Sequence, residues 1–125
     1  MKLRLDPGLS TPIFEQIALG VESAIMSGEL RSGDFLPSIR DLAVQLSVNP
    51  NTVAKGYTRL QSAGWVEAVR GTGLRVQKVT ERTVSERRAN LIDLKIDALL
   101  AEARDLGIPT NEIIKKLKAR KGDHE

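Results

Sequence analysis

Residues 37–60 read PSIRDLAVQLSVNPNTVAKGYTRL, and this stretch leaves the chain few ways to fold. Ile39, Leu42, Ala43 and Leu46 recur at helical spacing, and so do Val53, Tyr57 and Leu60 further on. Only Ser47 and Val48 stand between the end of the first stripe and Asn49-Pro50. Asn49 suits an N-cap, and Pro50 suits the first helical position while keeping the residue before it out of the helical region. Ser38, three residues before Asp41, opens the first stripe with a capping-box-like arrangement. Two short helices must therefore turn back on each other across an uncharged seam. That is a helix-turn-helix.

The flanking segments are read by the same rules. Thr11-Pro12 is a helix-start pair, and Ile13, Ile17, Val21, Ala24 and Ile25 form one apolar stripe that ends at Ser27-Gly28. Phe35-Leu36, after a turn-rich RSGD, is at most a very short strand. Gly64 closes the helix that contains Tyr57. WVEAVRGTGLRVQKV is β-rich at both ends, with Gly71-Thr72-Gly73 as a hairpin tip.

From Thr80 the residues become charged and helix-favouring. Leu91, Ile92, Leu94, Ile96, Leu99, Leu100 and Leu106 are too dense for a helix that meets solvent on most sides. Gly107 ends that helix, Pro109 blocks its continuation, and Thr110 can cap a last one with Ile113, Ile114 and Leu117 inside. Lys115, Lys116, Lys118 and Arg120 gather in its final turns, where positive charge suits the helix dipole.

Composition narrows the function classes. Absence of cysteine excludes a disulfide scaffold or a cysteine-based zinc site. The start, MKLRLDPGLS, does not read as a signal peptide, and no stretch approaches the roughly 18 apolar residues of a membrane span. The chain is most simply cytoplasmic, with no membrane partner. Its lone histidine, His124, lies in the tail, so no histidine dyad or metal cluster can be assembled. Gly71-Thr72-Gly73 lacks the glycine spacing and following helix of a nucleotide loop. These features point away from an enzyme and call for no cofactor and no metal. A net charge of +3 does not by itself identify a polyanion partner, so charge placement has to decide.

In a helix-turn-helix the N-terminal end of the second helix enters the major groove of DNA. Here it presents Asn49, Asn51, Thr52 and Lys55, all able to bond base edges or phosphates. Asn49 taken alone reads first as a cap; the four together read as a contact surface. Arg40, in the first turn of the preceding helix, opposes the helix dipole unless a phosphate or base lies against it. Arg59 reads as an ordinary exposed charge or a backbone contact. Arg70, Arg75 and Lys78 flank the hairpin and could lay a wing along the phosphates, although a solvated hairpin would look the same.

PIFEQI, SGEL, LPSIRDLAVQLSVNPNTVAKGY and GTG resemble the winged-helix DNA-binding domain of GntR-type bacterial transcription regulators over about Thr11 to Val79. The two-helix remainder resembles the C-terminal region of the YtrA-like branch, whose members dimerise through it. The resemblance places DNA contacts on Arg40, Asn49, Asn51, Thr52 and the wing tip at Gly71. Two positions depart from the pattern. Many members have arginine where this chain has Pro50, and YtrA-like members often have alanine where it has Gly56. Glycine inside a helix costs about 1 kcal/mol.

The expectation is a mostly α protein with a small β-wing. Residues 1–79 would form a winged helix-turn-helix and residues 80–125 a short helical dimerisation region. The expected function is a sequence-specific regulator, a repressor bound as a homodimer to an inverted-repeat operator. DNA contacts fall on Arg40, Asn49, Asn51, Thr52, Lys55, Arg70, Gly71 and Thr72. Dimer contacts fall on Leu91, Ile92, Ile96, Leu99, Leu100, Ile113 and Leu117. A winged-helix protein-interaction module without DNA binding is the second reading, separable by a salt-sensitive shift with duplex DNA. About 45 residues after the wing can hardly enclose a ligand pocket of typical size, although an effector could still bind between the halves of a dimer. No effector is named by these residues.

Overall fold

Proline and short polar residues set where the helices of the first half begin. In the computed structural model, which describes residues 1–78 and 81–124 (backbone alone for 81 and 122–124), α1 spans Ile13–Met26, α2 Ile39–Leu46 and α3 Pro50–Ser62. Strands β1 (Val66–Val69) and β2 (Gly73–Val76) pair antiparallel in the register Val66↔Val76 to Val69↔Gly73. Helices α4 (Glu81–Asp105) and α5 (Thr110–His124) follow. The chain divides into two compact units, Met1–Glu81 and Arg82–Glu125. The boundary expected at 79/80 falls on residues outside the described ones, as does the side chain of His124.

Ser38 caps α2 by accepting from the Asp41 N–H at 3.0 Å. Asn49 caps α3 by accepting from the Asn51 N–H at 2.8 Å, with Pro50 in the first turn. Between them Ser47 adopts a left-handed conformation at φ 55°, and the Val48 N–H returns to the Ala43 carbonyl at 3.0 Å. This closure of the α2 carbonyl end is what lets two residues turn the chain. Two start signals shift by a residue. Pro12, not Thr11, occupies the N-cap of α1 and makes no side-chain cap bond, and α5 already includes Thr110.

The first unit closes around Ile17, Val21, Leu36, Leu42, Val53, Tyr57, Leu60, Trp65, Val66 and Val76, all buried. Ile39, expected on the buried face of α2, is instead exposed; Leu42 and Ala43 carry that face alone, with Leu46 packed at its edge. Phe35 forms a single bridge to Arg75, so the two-residue strand expected there is an edge element beside the wing. Met1, Leu3 and Leu5 also pack on this core. Gln16 holds the turn that follows them, donating to the Asp6 and Thr11 carbonyls and accepting from the Asp6 N–H.

The second unit is built differently. Gly107, at φ 73°, and the Ile108 N–H bond to Ala103 end α4, and α5 then shares an apolar groove with it. Ile92, Ile96, Leu99, Leu100, Ile113, Ile114 and Leu117 line this groove of about 470 Å³, with Lys95 and Thr110. Its walls reach solvent: Ile92 is 53% exposed and Leu117 59%. Ala103 is the sole buried side chain of α4 and α5 among the described residues. No described helix is long and apolar enough to cross a membrane.

Gly56 shows why α1 and α3 sit so close. A Cβ there would lie 2.9 Å from the Phe14 carbonyl oxygen and 3.2 Å from Ile17 Cγ2. The helix-propensity gain of alanine is therefore opposed by a clash with backbone, which cannot move aside. Gly56→Ala should destabilise the protein by about 1–3 kcal/mol instead of stabilising it by about 1. Urea unfolding of the variant checks this, and a rise in midpoint would refute the packing role.

Candidate nucleic-acid interface

The N-terminal mouth of α3 combines a fixed backbone with uncommitted side chains. The side-chain oxygen Oδ1 of Asn49 accepts from the Asn51 N–H, and that geometry leaves the two amide donors of Asn49 available. Asn51 is exposed and Thr52 half-buried, while the next residue inward, Val53, is fully buried. The backbone of this turn is thus anchored by the core, and its polar side chains point away from it. Asn49 caps, as its residue type suggests; the cap does not use up its hydrogen-bonding capacity.

Arg40 is exposed in the first turn of α2, two residues after the capping Ser38. At the wing, Arg70, Gly71 and Thr72 form the turn and are all exposed, with the Thr72 N–H bonded to the Val69 carbonyl at 3.0 Å. Gly71 has φ 78°, a conformation that favours glycine, and its lack of a side chain lets another backbone approach closely. Gly73 belongs to β2, so the tip is one residue earlier than the glycine pair suggests.

Three cations read from the sequence as outward-facing have partners. The Lys55 ammonium lies 4.7 Å from the centre of the Phe14 ring, an exposed cation–π contact toward α1. Arg59 is exposed, as expected, and is paired with Glu15 of α1 at 3.0 Å. Arg75 donates from Nε and Nη2 to Glu67 across the wing at 3.1 and 2.7 Å. It is therefore neutralised in the hairpin instead of joining Arg70 and Lys78. Among the described residues no group of His, Cys, Asp or Glu could hold a metal ion.

The residue that the sequence did not single out as part of the site is Tyr57. Its hydroxyl donates to the Pro37 carbonyl at 2.8 Å, tying α3 to the loop that leads into α2. Burial pushes the phenol well above its ordinary value of 10.0. The apolar spacing announced an inward tyrosine, but its bond spans twenty residues. The residues expected to join two copies lie together on the second unit. Ile92, Ile96, Leu99, Leu100, Ile113 and Leu117 line the groove, and Leu91 is half-buried outside that lining.

The sequence matches "Bacterial regulatory proteins, gntR family" over residues 13–76. It is 32% identical to the HTH-type transcriptional repressor YtrA of Bacillus subtilis (strain 168), covering 97% of this chain and 93% of that one. The fold superposes with a TM-score of 0.74 on a GntR family transcriptional regulator from Listeria monocytogenes, at 30% identity, covering 92% of this chain and 98% of the other. The DNA-binding domain of AraR, solved in complex with operator ORX1, matches with a TM-score of 0.54 at 25% identity, covering 61% of this chain and 95% of that domain.

Tyr57→Phe should cost about 1 kcal/mol, because the Pro37 carbonyl loses its donor. The pH dependence has a definite sign. The folded phenol stays protonated while the unfolded one ionises above its ordinary value, so the tyrosine's contribution is intact below pH 10.0 and falls as pH rises beyond it. The parent should therefore lose stability above pH 10.0 more steeply than Tyr57→Phe. Thermal melts of both proteins across that range check it; parallel curves would contradict the buried, donating phenol.

Proposed function

The chain belongs to the gntR family of bacterial regulatory proteins, and from that footing we propose that it is a cytoplasmic transcription regulator, not an enzyme, that binds an inverted-repeat operator as a homodimer and represses. In this reading residues 1–79 hold the DNA and residues 80–125 join the two copies. The observation that carries it is the mouth of α3, where Asn51 and Thr52 project from a turn whose backbone is already satisfied by Asn49 and the core.

The chemistry then divides between anchoring and reading. Arg40, Lys55 and Arg70 supply positive charge to phosphates on either side of the groove. Asn49, Asn51 and Thr52 offer donors and acceptors to base edges, and asparagine can bond an adenine edge in two places. Gly71 and Thr72 bring the backbone and hydroxyl of the wing against the duplex. Two such units in a dimer occupy successive major grooves and occlude polymerase. The AraR domain, caught on an operator, supports DNA as the partner over a protein-only role.

Selection of bound duplexes from a random pool tests the reading. It should return inverted repeats with half-site centres about 10 bp apart or slightly more. Asymmetric single sites, or no preference, would overturn it. On the selected operator Arg40→Ala should weaken binding strongly, while Asn51→Ala should relax discrimination at one or two base pairs by about 1–3 kcal/mol. Both side chains are exposed, so thermal melting should barely move. Parental binding by both variants would remove them from the interface.

The dimer has its own test. Leu91, Ile92, Ile96, Leu99, Leu100, Ile113 and Leu117 would be covered by a second copy, giving a symmetric and largely apolar interface. Leu99→Asp puts a carboxylate into the groove wall and should yield a monomer whose first unit stays folded. Operator affinity should then collapse, because the half-sites lose the effective concentration that linkage provides. Sedimentation and DNA titration of this variant decide the matter: a dimer that binds normally would exclude this face.

A further inference from the structure

From its middle to its last turn, α5 carries Lys115, Lys116, Lys118, Arg120 and Lys121, all exposed. Glu112 is the one carboxylate between residues 106 and 121. Among the described residues none of the five cations makes an ion pair, and Arg120 donates only to the Lys116 carbonyl. A helix C-terminus presents about half a unit of negative charge, which one or two cations satisfy. The remainder repel. Lys116 and Arg120 are four residues apart, and Lys115 and Lys118, like Lys118 and Lys121, are three apart; like charges at such spacings oppose the helix. An external anion laid against these side chains would relieve that repulsion.

We propose that the cationic end of α5 is a second phosphate-binding surface, which grips duplex DNA outside the segment read by α3 and the wing. This rests on the DNA-binding reading above and extends it. A duplex carries one negative charge per about 1.7 Å of axis, the dense field such a cluster matches. The first unit already holds that polyanion on the same chain, so the duplex is present at high effective concentration for a second contact. A lipid surface is the less suitable partner. Interfacial helices bury an apolar face in the headgroup boundary, whereas Ile113, Ile114 and Leu117 turn toward the groove shared with α4.

The test compares the parent, Lys115→Gln/Lys116→Gln/Lys118→Gln and Arg40→Ala on a long mixed-sequence duplex over a range of salt. Sedimentation and circular dichroism establish that the triple variant keeps the parent's oligomeric state and helix content. Removing three phosphate contacts should make the slope of log affinity against log salt shallower by about 2–3 per subunit. On a short duplex limited to the selected operator, the same variant should approach the parent, because the flanking phosphates are gone. A triple variant with the parent's slope on long DNA, while Arg40→Ala still weakens binding, overturns the α5 surface and leaves the first unit's role standing. A parent that binds neither duplex overturns the DNA reading and this extension with it. Binding to phosphatidylserine vesicles that the triple variant loses, with DNA binding unchanged, assigns the surface to lipid instead.

Discussion

Helices α1 and α3 meet at backbone distance because Gly56 puts no side chain between them, and the rest of the first unit is arranged around that approach. The close contact lets Ile17 and Val21 of α1 interleave with Val53, Tyr57 and Leu60 of α3 until all five are buried. It also brings the rims of the two helices side by side. Phe14 lies beneath the Lys55 ammonium, and Glu15 meets Arg59. On the other flank Tyr57 reaches the Pro37 carbonyl and fixes α3 to the entrance of α2. A helix held from both sides can present its first turn outward without fraying, which is what a reading end requires.

Charge placement matters more in this chain than its total. Arg59 and Arg75 are each held by a glutamate in half-exposed pairs, which contribute little to stability in water. Their effect is on geometry: they give two arginines partners within the unit. Arg40 near the start of α2, Arg70 at the wing turn and Lys78 after it remain exposed. These bracket the polar mouth of α3 in sequence, so that positively charged segments flank an uncharged one.

The parts of this arrangement that were legible in the sequence are those set by local chemistry. Ser38, Asn49 and Pro50 act within a turn of themselves, so the bounds of α2 and α3 follow from residue type. The reach of Tyr57, and the pairings of Arg59 and Arg75, depend on distances across elements, which no spacing rule encodes. Gly56 is an instructive intermediate case. Its misfit with helix propensity was visible, but the carbonyl that explains it belongs to α1. The N-terminal segment escaped notice for a similar reason: Met1, Leu3 and Leu5 alternate too briefly to signal a strand, and their partners lie on α1 and the core. Ile39 misled because four-residue periodicity marks a face without saying how wide the neighbouring surface is.

The second unit obeys a different physical rule from the first. Its helices carry as many large apolar residues as a core would need, yet Ala103 alone is buried there among the described residues. Leu94 is 62% exposed and Leu106 76%. Helices within proteins owe most of their stability to packing of an apolar face, not to propensity. A helical hairpin whose groove walls reach solvent therefore gains much of its order from whatever covers that groove. If the cover is a second copy, order in α4 and α5 becomes a function of protein concentration, since association stabilises the folded form by mass action. Duplex DNA that holds two copies on adjacent half-sites raises their local concentration in the same way. Operator binding and folding of the tail would then be linked equilibria, with the apolar groove as the coupling element between them.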